Sequence, residues 1–257
     1  MANIVPVKKE QHQALKVSGK RDLSHVAQQH IVPVTAREYA QSATSYPIVF
    51  VKDPDAERFR SVIMLGFDAS ENLYYHEDSW NALYVPQSIG MVPFALGLDP
   101  EKDKTLTTCI DIDSPFVGED KDQALYDESG KETEFFNQIQ DNLGQLYENE
   151  IASEQFIQEI LDENLMQELA LNITYADGEQ KKLVGLFTID EHKMQTLSDE
   201  KVLDFYKRGM FIPMHAMLGS LGQINRLIQM RNDSTNPQKI VNVQIQAITD
   251  EAETTQA

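Results

Sequence analysis

Short apolar runs separated by polar turns fill the first half of the chain, and their lengths are those of β-strands. The predicted strands cover residues 31–34, 48–51, 61–67, 72–75, 83–85 and 106–112. Turn-forming residues at 52–55 and 68–71 connect the second, third and fourth strands. Parallel strands need a crossover of about a dozen residues or more, which these connections do not provide. The pattern therefore predicts a mainly antiparallel meander sheet.

The period of the apolar positions changes to about 3.6 residues between residues 132 and 167, which is typical of amphipathic helices. This stretch is expected to form two helices with a break near residues 150–153. The Asp177-Gly178 pair lies between apolar runs at 169–175 and 182–189 and predicts a β-hairpin. Three more helices are predicted at residues 190–197, 199–207 and 213–230. The predicted fold class is therefore α+β, with helices packed in the C-terminal half.

Polar composition sets the predicted domain boundaries. Residues 1–27 are polar with weak periodicity and predict a flexible N-terminal arm. Residues 28–231 are expected to form a single α+β domain, and residues 232–257 a polar, largely disordered tail. Near the start of this domain, Thr35 and Glu38 have the spacing of a capping box, in which the glutamate side chain reaches back to the threonine.

The chain of 257 residues carries a net charge of −19, and its acidic residues are concentrated. Residues 101–168 hold nineteen Asp or Glu residues against four Lys and no Arg. An acidic surface repels phosphate, which argues against nucleic acid as a partner. The acidic stretch is interpreted as a solvated face, with a calcium site or a surface for a basic partner as alternatives.

Neither membrane insertion nor an internal disulfide is indicated. No run of about eighteen apolar residues occurs, and residues 1–20 lack the apolar region of a Sec-type signal peptide. The expected location is the cytoplasm, with signal-less export to the cell surface as an open alternative. The single Cys109 lies in the predicted strand at 106–112 and is interpreted as a buried structural thiol.

Residues 80–94 form the most distinctive segment of the chain. They include its only tryptophan together with prolines and further aromatic residues. Large rings bury much surface and prolines restrict the backbone, so the segment is expected either to organise the fold or to line a pocket. The candidate binding residues are Trp80, Tyr84, Pro86 and Phe94.

A second hypothesis places a metal ion at His76, Asp78 and His215. Two histidines and one carboxylate form the ligand set of non-haem iron oxygenases, and residues two apart on a strand point the same way. The competing interpretation is a polar turn before Trp80 and a hydrogen-bonded core histidine at position 215. No other cofactor is indicated, because the sequence lacks nucleotide-binding glycine loops, a nucleophile elbow and zinc-type cysteine spacing.

Several motifs, in order along the chain, resemble the SapC family, which is named from a bacterial surface-layer locus. They are residues 46–52 (YPIVFVK), Leu65-Gly66, 80–86 (WNALYVP), 92–94 (VPF), Ile112-Asp113, 125–127 (LYD) with Gly130, 185–191 (GLFTIDE) and 217–221 (MLGSL). The similarity covers residues 31–227. One departure is Asp78, a position where family members often have glycine.

The resemblance implies no established activity and no catalytic residues. It implies a role connected with a surface layer or with uptake, because such proteins are often encoded beside TonB-dependent receptors. The leading hypothesis is therefore a non-enzymatic accessory protein with a protein or peptide partner. The alternatives are the metal-dependent, oxygenase-like enzyme and a structural protein of a surface array. An unrelated permease shares the family name, but a permease needs apolar spans that this sequence lacks.

Overall fold

A computed structural model describes residues 3–20, 22–53, 58–100 and 102–248. Its strands are β1 Ile4–Pro6, β2 Lys16–Val17, β3 Ile31–Pro33, β4 Ile48–Lys52, β5 Phe59–Met64, β6 Tyr75–His76, β7 Ser79–Trp80, β8 Phe94–Leu98, β9 Leu106–Asp111, β10 Val117–Gly118, β11 Gln123–Ala124, β12 Met166–Tyr175, β13 Gln180–Ile189 and β14 Ile240–Ala247. Its α-helices are α1 Lys9–His12, α2 Tyr39–Ser42, α3 Gln87–Gly90, α4 Glu134–Asp162, α5 Glu191–Met194, α6 Asp199–Arg208, α7 Phe211–Ser220 and α8 Ile224–Asp233. Contacts divide the chain into two units, the first comprising Met1–Leu23 and Gln87–Glu148 and the second Ser24–Pro86 and Asn149–Ala257.

The first unit contains two three-stranded antiparallel sheets, ordered β1-β9-β8 and β10-β2-β11. Val17, Phe94, Ile110 and Phe136 are among the buried residues of its apolar cluster. Cys109 is also buried, in β9, as the sequence predicts, and burial raises the pKa of its thiol. The strands β1 and β2 lie in the segment predicted to be a flexible arm. They form because apolar residues such as Val17 pack into the cluster. These residues are too widely spaced along the sequence to produce a recognisable period.

The second unit is built on a six-stranded antiparallel sheet with the order β14-β12-β13-β4-β5-β3. The predicted hairpin is confirmed, because β12 and β13 pair across a turn in which Gly178 has a φ of 90°. The antiparallel pairing predicted for the first short connection is confirmed, because β4 pairs antiparallel with β5. The strand predicted at residues 72–75 does not join this sheet, since residues 72–74 form no strand and, among the described strands, β6 pairs only with β7. The α+β class, with helices in the C-terminal half, is therefore confirmed.

The last strand of this sheet, β14, lies where the sequence predicts a polar and largely disordered tail. Its apolar residues alternate with Asn and Gln, and this alternation is the signature of a strand with one apolar face. The Asn and Gln residues lower the mean hydropathy of the segment. A prediction based on composition therefore misses this strand. The predicted disorder over residues 251–257 lies outside the described residues.

Residues 134–162 form one continuous helix, α4, so the predicted break at residues 150–153 is wrong. No glycine or proline occurs at the predicted break to interrupt the helix. Ser153 is buried, and its hydroxyl donates to the Asn149 carbonyl at 2.7 Å and accepts the Ala36 amide at 2.7 Å. Ser153, at the predicted break, therefore faces inward and fixes the first turn after Thr35.

Three further predictions need correction. Residues 83–85 form no strand, and Leu83 is 96% exposed. The segment predicted as one helix at 213–230 is α7 and α8, joined by a 3-10 turn at Leu221–Gln223. The buried Ser220 hydroxyl accepts the Ile48 amide at 2.9 Å, and this bond ties the end of α7 to β4. The helix predicted at 190–197 is confined to Glu191–Met194.

Arg231, on α8, is the one charged side chain among the largest fully buried side chains of the described residues. Its guanidinium donates to Asp68 at 2.7 Å and also to Glu71, and its Nε donates to the Gln238 carbonyl at 3.3 Å. Burial pushes the pKa of Asp68 upward, but hydrogen bonds from Lys181 and Arg231 outweigh burial and lower it. This ion cluster holds α8 against the loop that follows β5.

Among the described residues, no helix combines the length and the apolarity needed to cross a membrane.

Candidate functional site

The segment from Trp80 to Pro86 begins on a small hairpin of the second unit. Strands β6 and β7 pair Tyr75 with Trp80, and the Asn81 amide donates to the Tyr74 carbonyl at 2.7 Å. Residues after Trp80 leave the hairpin without joining another strand. Their path is therefore fixed by side-chain contacts and not by a sheet.

An aromatic cluster of Tyr46, Tyr74 and Trp80 provides the first of these contacts. The ring centres of Tyr46 and Tyr74 are 4.7 Å apart, and the stacked rings of Tyr74 and Trp80 are 6.0 Å apart. The Trp80 indole donates to the Tyr46 hydroxyl at 2.7 Å, and this hydroxyl donates in turn to the Tyr84 carbonyl. Tyr46 is completely buried, and burial raises its pKa to about 12. It therefore remains a neutral donor.

Arg226, on α8, provides a second contact. Its guanidinium lies 5.6 Å from the centre of the Tyr74 ring, within the range of a cation–π interaction. The same group donates to the Asn81 carbonyl at 2.8 Å. This bond therefore ties the backbone of the loop to α8.

Tyr84 provides the third contact, through the predicted capping box. The Glu38 carboxylate is buried and accepts the Thr35 amide at 3.0 Å and the Thr35 hydroxyl at 2.7 Å. The Tyr84 hydroxyl donates to the other oxygen of this carboxylate at 2.7 Å. Burial, the bond to Glu38 and the negative charge of Glu38 all raise the pKa of Tyr84. The capping box is thus confirmed, and it also anchors a loop that is distant in sequence.

These contacts occupy the polar groups of the predicted binding residues and leave one apolar residue exposed. Trp80 and Tyr84 are joined through Tyr46, and Pro86 is buried. Leu83 projects from the loop with 96% of its surface exposed, the highest value among the exposed large hydrophobic residues described. We call residues 80–86 the latched loop. The sequence gives no signal for Leu83, because an apolar residue between Trp80 and Val85 looks like core.

The fourth predicted binding residue, Phe94, lies in the first unit. It is buried in the apolar cluster, with ring centres 6.4 Å from Phe135 and 6.3 Å from Phe136. A shallow depression of about 530 Å³ also occurs in this unit, and none of the predicted site residues lines it. Its lining residues are Gln123, Ala124, Thr133, Glu134, Phe135 and Gln138.

The structure does not assemble the metal ligands of the second hypothesis. Glu77 and Asp78 form the left-handed turn between β6 and β7, with φ values of 48° and 58°, so strand geometry does not align His76 with Asp78. Asp78 accepts the Tyr75 hydroxyl at 2.8 Å, and the His215 ring hydrogen-bonds with the Phe211 carbonyl at 2.7 Å. Within the described ranges, no three His, Cys, Asp or Glu side chains are grouped to hold a metal ion.

Comparison with known proteins identifies the family. The family model described as SapC matches residues 7–227, which is most of the chain. No curated protein and no solved structure matches. The matched range includes the capping box, the aromatic cluster, the latched loop and Arg226. The chain belongs to the SapC family.

Proposed function

We propose that the protein is a non-enzymatic accessory protein of a bacterial surface layer or TonB-dependent uptake system, and that it binds a protein or peptide partner through Leu83. The observation that carries the proposal is the 96% exposure of Leu83 on a loop held by three separate anchors. A single exposed leucine is common on protein surfaces. Here the anchors hold the loop in one conformation, so binding a partner costs little conformational entropy. A contact that is ordered before binding gains affinity because this cost is small.

The chemistry of the loop fits an apolar partner site. Residues 80–86 contain no charged side chain, and Val85 is 37% exposed beside Leu83. Burying a leucine side chain contributes about 1.5–3 kcal/mol, which corresponds to about a tenfold to hundredfold change in affinity. Trp80, Tyr84 and Pro86 act in this proposal as residues that position Leu83. The metal-dependent alternative has no comparable support, because its three ligands are not grouped.

Affinity capture with the purified full chain as bait tests this proposal on envelope and soluble fractions of the cells that produce it. Leu83→Asp is compared with Val184→Asp, which places the same charge on a side chain that is 58% exposed on β13. We expect the unchanged protein and the Val184 variant to recover the same partner, and the Leu83 variant to lose it. Recovery of that partner by the Leu83 variant, or no reproducible partner for the unchanged protein, would refute the proposal.

A further inference from the structure

The six-stranded sheet has two unlike edges. At one edge, β3 has three residues and ends at Pro33, and both features discourage pairing with another strand. At the other, β14 has eight residues with no proline and no charge, and most of its side chains are exposed. Natural proteins usually protect long edge strands with charges, prolines or bulges. The pairing of β14 with β12 is irregular only at its start, between Ile240 and Asn242, and residues 242–247 pair in regular register. A regular and neutral edge over these residues therefore suggests a pairing surface.

The hydrogen-bonding direction of β14 follows from its pairing with β12. The Ile248 amide donates to the Glu168 carbonyl at 2.9 Å, so this position faces β12. The backbone hydrogen-bonding groups of successive residues in a strand point to opposite sides. The amides and carbonyls of Val243, Ile245 and Ala247, at odd-numbered spacings from Ile248, therefore point away from β12. At the start of the strand, the Asn232 side chain bonds both the amide and the carbonyl of Ile240, each at 2.7 Å. Within the described part of the chain, only β12 pairs with β14.

We propose that β14 pairs antiparallel with β14 of a second copy of this chain, about a two-fold axis at Ile245. This register places Val243 opposite Ala247 and Ile245 opposite itself, so every outward amide and carbonyl of these three residues gains a partner. On the other face, Gln244 lies opposite Gln246, and their amides can bond each other. Apolar residues therefore meet apolar residues, polar residues meet polar residues, and the two sheets become continuous.

Charge favours a second copy at this particular surface. The chain has a net charge of −19, so two copies repel each other wherever their acidic faces meet. Residues 240–247 carry no charge, and the proposed register places no like charges opposite each other. Added salt screens the remaining repulsion, since the screening length falls from about 10 Å at 0.1 M to about 3 Å at 1 M salt. The dimer should therefore strengthen with salt, whereas a dimer held by ion pairs would weaken.

Sedimentation equilibrium of the full chain tests the proposal over a range of protein and salt concentrations. We expect a species of twice the 29.2 kDa chain mass, whose fraction rises with both concentrations. Ile245→Lys places two cations at the axis and should leave a monomer, whereas Val184→Lys on the inner strand β13 should dimerise like the unchanged protein. Only monomer at the highest concentration, a dimer of the Ile245 variant, or dissociation by salt would overturn the proposal.

Disulfide formation tests the register itself, in a Cys109→Ala background that removes the native thiol. Residues opposite each other in a hydrogen-bonded antiparallel pair have Cα atoms about 5.5 Å apart, which suits a disulfide. Ile245→Cys should therefore cross-link rapidly in air, whereas Gln244→Cys, placed diagonally from its own copy, should cross-link more slowly. Equal rates would refute the register. This inference concerns a surface other than Leu83, so capture of a partner through Leu83 and dimerisation through β14 succeed or fail independently.

Discussion

Replacing Tyr84 with phenylalanine should release the latched loop without unfolding the protein. The substitution removes one hydroxyl, which donates to the Glu38 carboxylate at 2.7 Å. Glu38 keeps the Thr35 amide and hydroxyl as donors, so its buried charge still has partners. The cost is therefore that of a single lost bond and not that of an unpaired buried carboxylate.

The expected magnitude follows from the kind of bond that is lost. Hydrogen bonds to charged groups contribute about 1.5–3 kcal/mol, and the half-buried position of Tyr84 favours the lower end of this range, because water can partly replace the lost donor. A loss of about 1.5 kcal/mol increases the population of the open loop by slightly more than about tenfold. The opening should expose the Asn81 amide, which donates to the Tyr74 carbonyl in the closed loop.

Hydrogen exchange measured residue by residue checks this prediction. The Asn81 amide of the Tyr84→Phe variant should exchange about tenfold faster than that of the unchanged protein, while amides of β4 and β5 keep their protection. Tyr206→Phe is the matched control, because Tyr206 is 74% exposed. Equal exchange at Asn81 in the two variants would show that the Glu38 bond does not hold the loop.

Two other perturbations have defined outcomes. Arg231→Met should lower the free energy of unfolding by about 3–5 kcal/mol at neutral pH, because it leaves Asp68 and Glu71 without their buried partner. The pKa of Asp68 is lowered in the folded protein, so the stability that Asp68 contributes is present above the ordinary carboxyl pKa and is lost as the pH falls through the lowered value. Urea titrations at several pH values should therefore show that the difference in unfolding free energy between this variant and the unchanged protein shrinks in acid. Gly144→Ala on α4 should raise the midpoint of urea unfolding by an amount equivalent to about 0.5–1 kcal/mol, since a new Cβ meets nothing within 4 Å. Gly66→Ala should instead lower the midpoint, because its Cβ would clash with the Glu71 carbonyl oxygen. A stable Arg231 variant, or the same sign for both glycine variants, would contradict these expectations.

Features with local causes could be predicted from the sequence. The Asp177-Gly178 turn, the short connection after β4 and the capping box of Thr35 and Glu38 each depend on residues close together in the chain. The SapC family could also be recognised, because its motifs lie in order along the sequence.

Features that depend on distant partners could not be predicted in this way. β14 is stabilised by pairing with β12, and no local pattern links residue 245 to residue 171. Similarly, Glu38 can be recognised as a capping residue, but its bond to Tyr84 spans 46 positions. The exposure of Leu83 follows from these long-range anchors, so the sequence identifies the segment without showing which of its residues faces solvent.

Both proposed surfaces lack charge in a strongly acidic chain, and this gives a common physical test. Residues 80–86 and 240–247 contain no Asp, Glu, Lys or Arg, whereas residues 101–168 carry nineteen acidic residues. Association through either neutral surface depends on apolar contact or backbone pairing, so added salt should leave it unchanged or strengthen it. A basic partner bound to the acidic stretch would dissociate as salt is added. Retention of the captured partner in high salt, together with its loss from the Leu83 variant, would therefore assign binding to the latched loop and not to the acidic face.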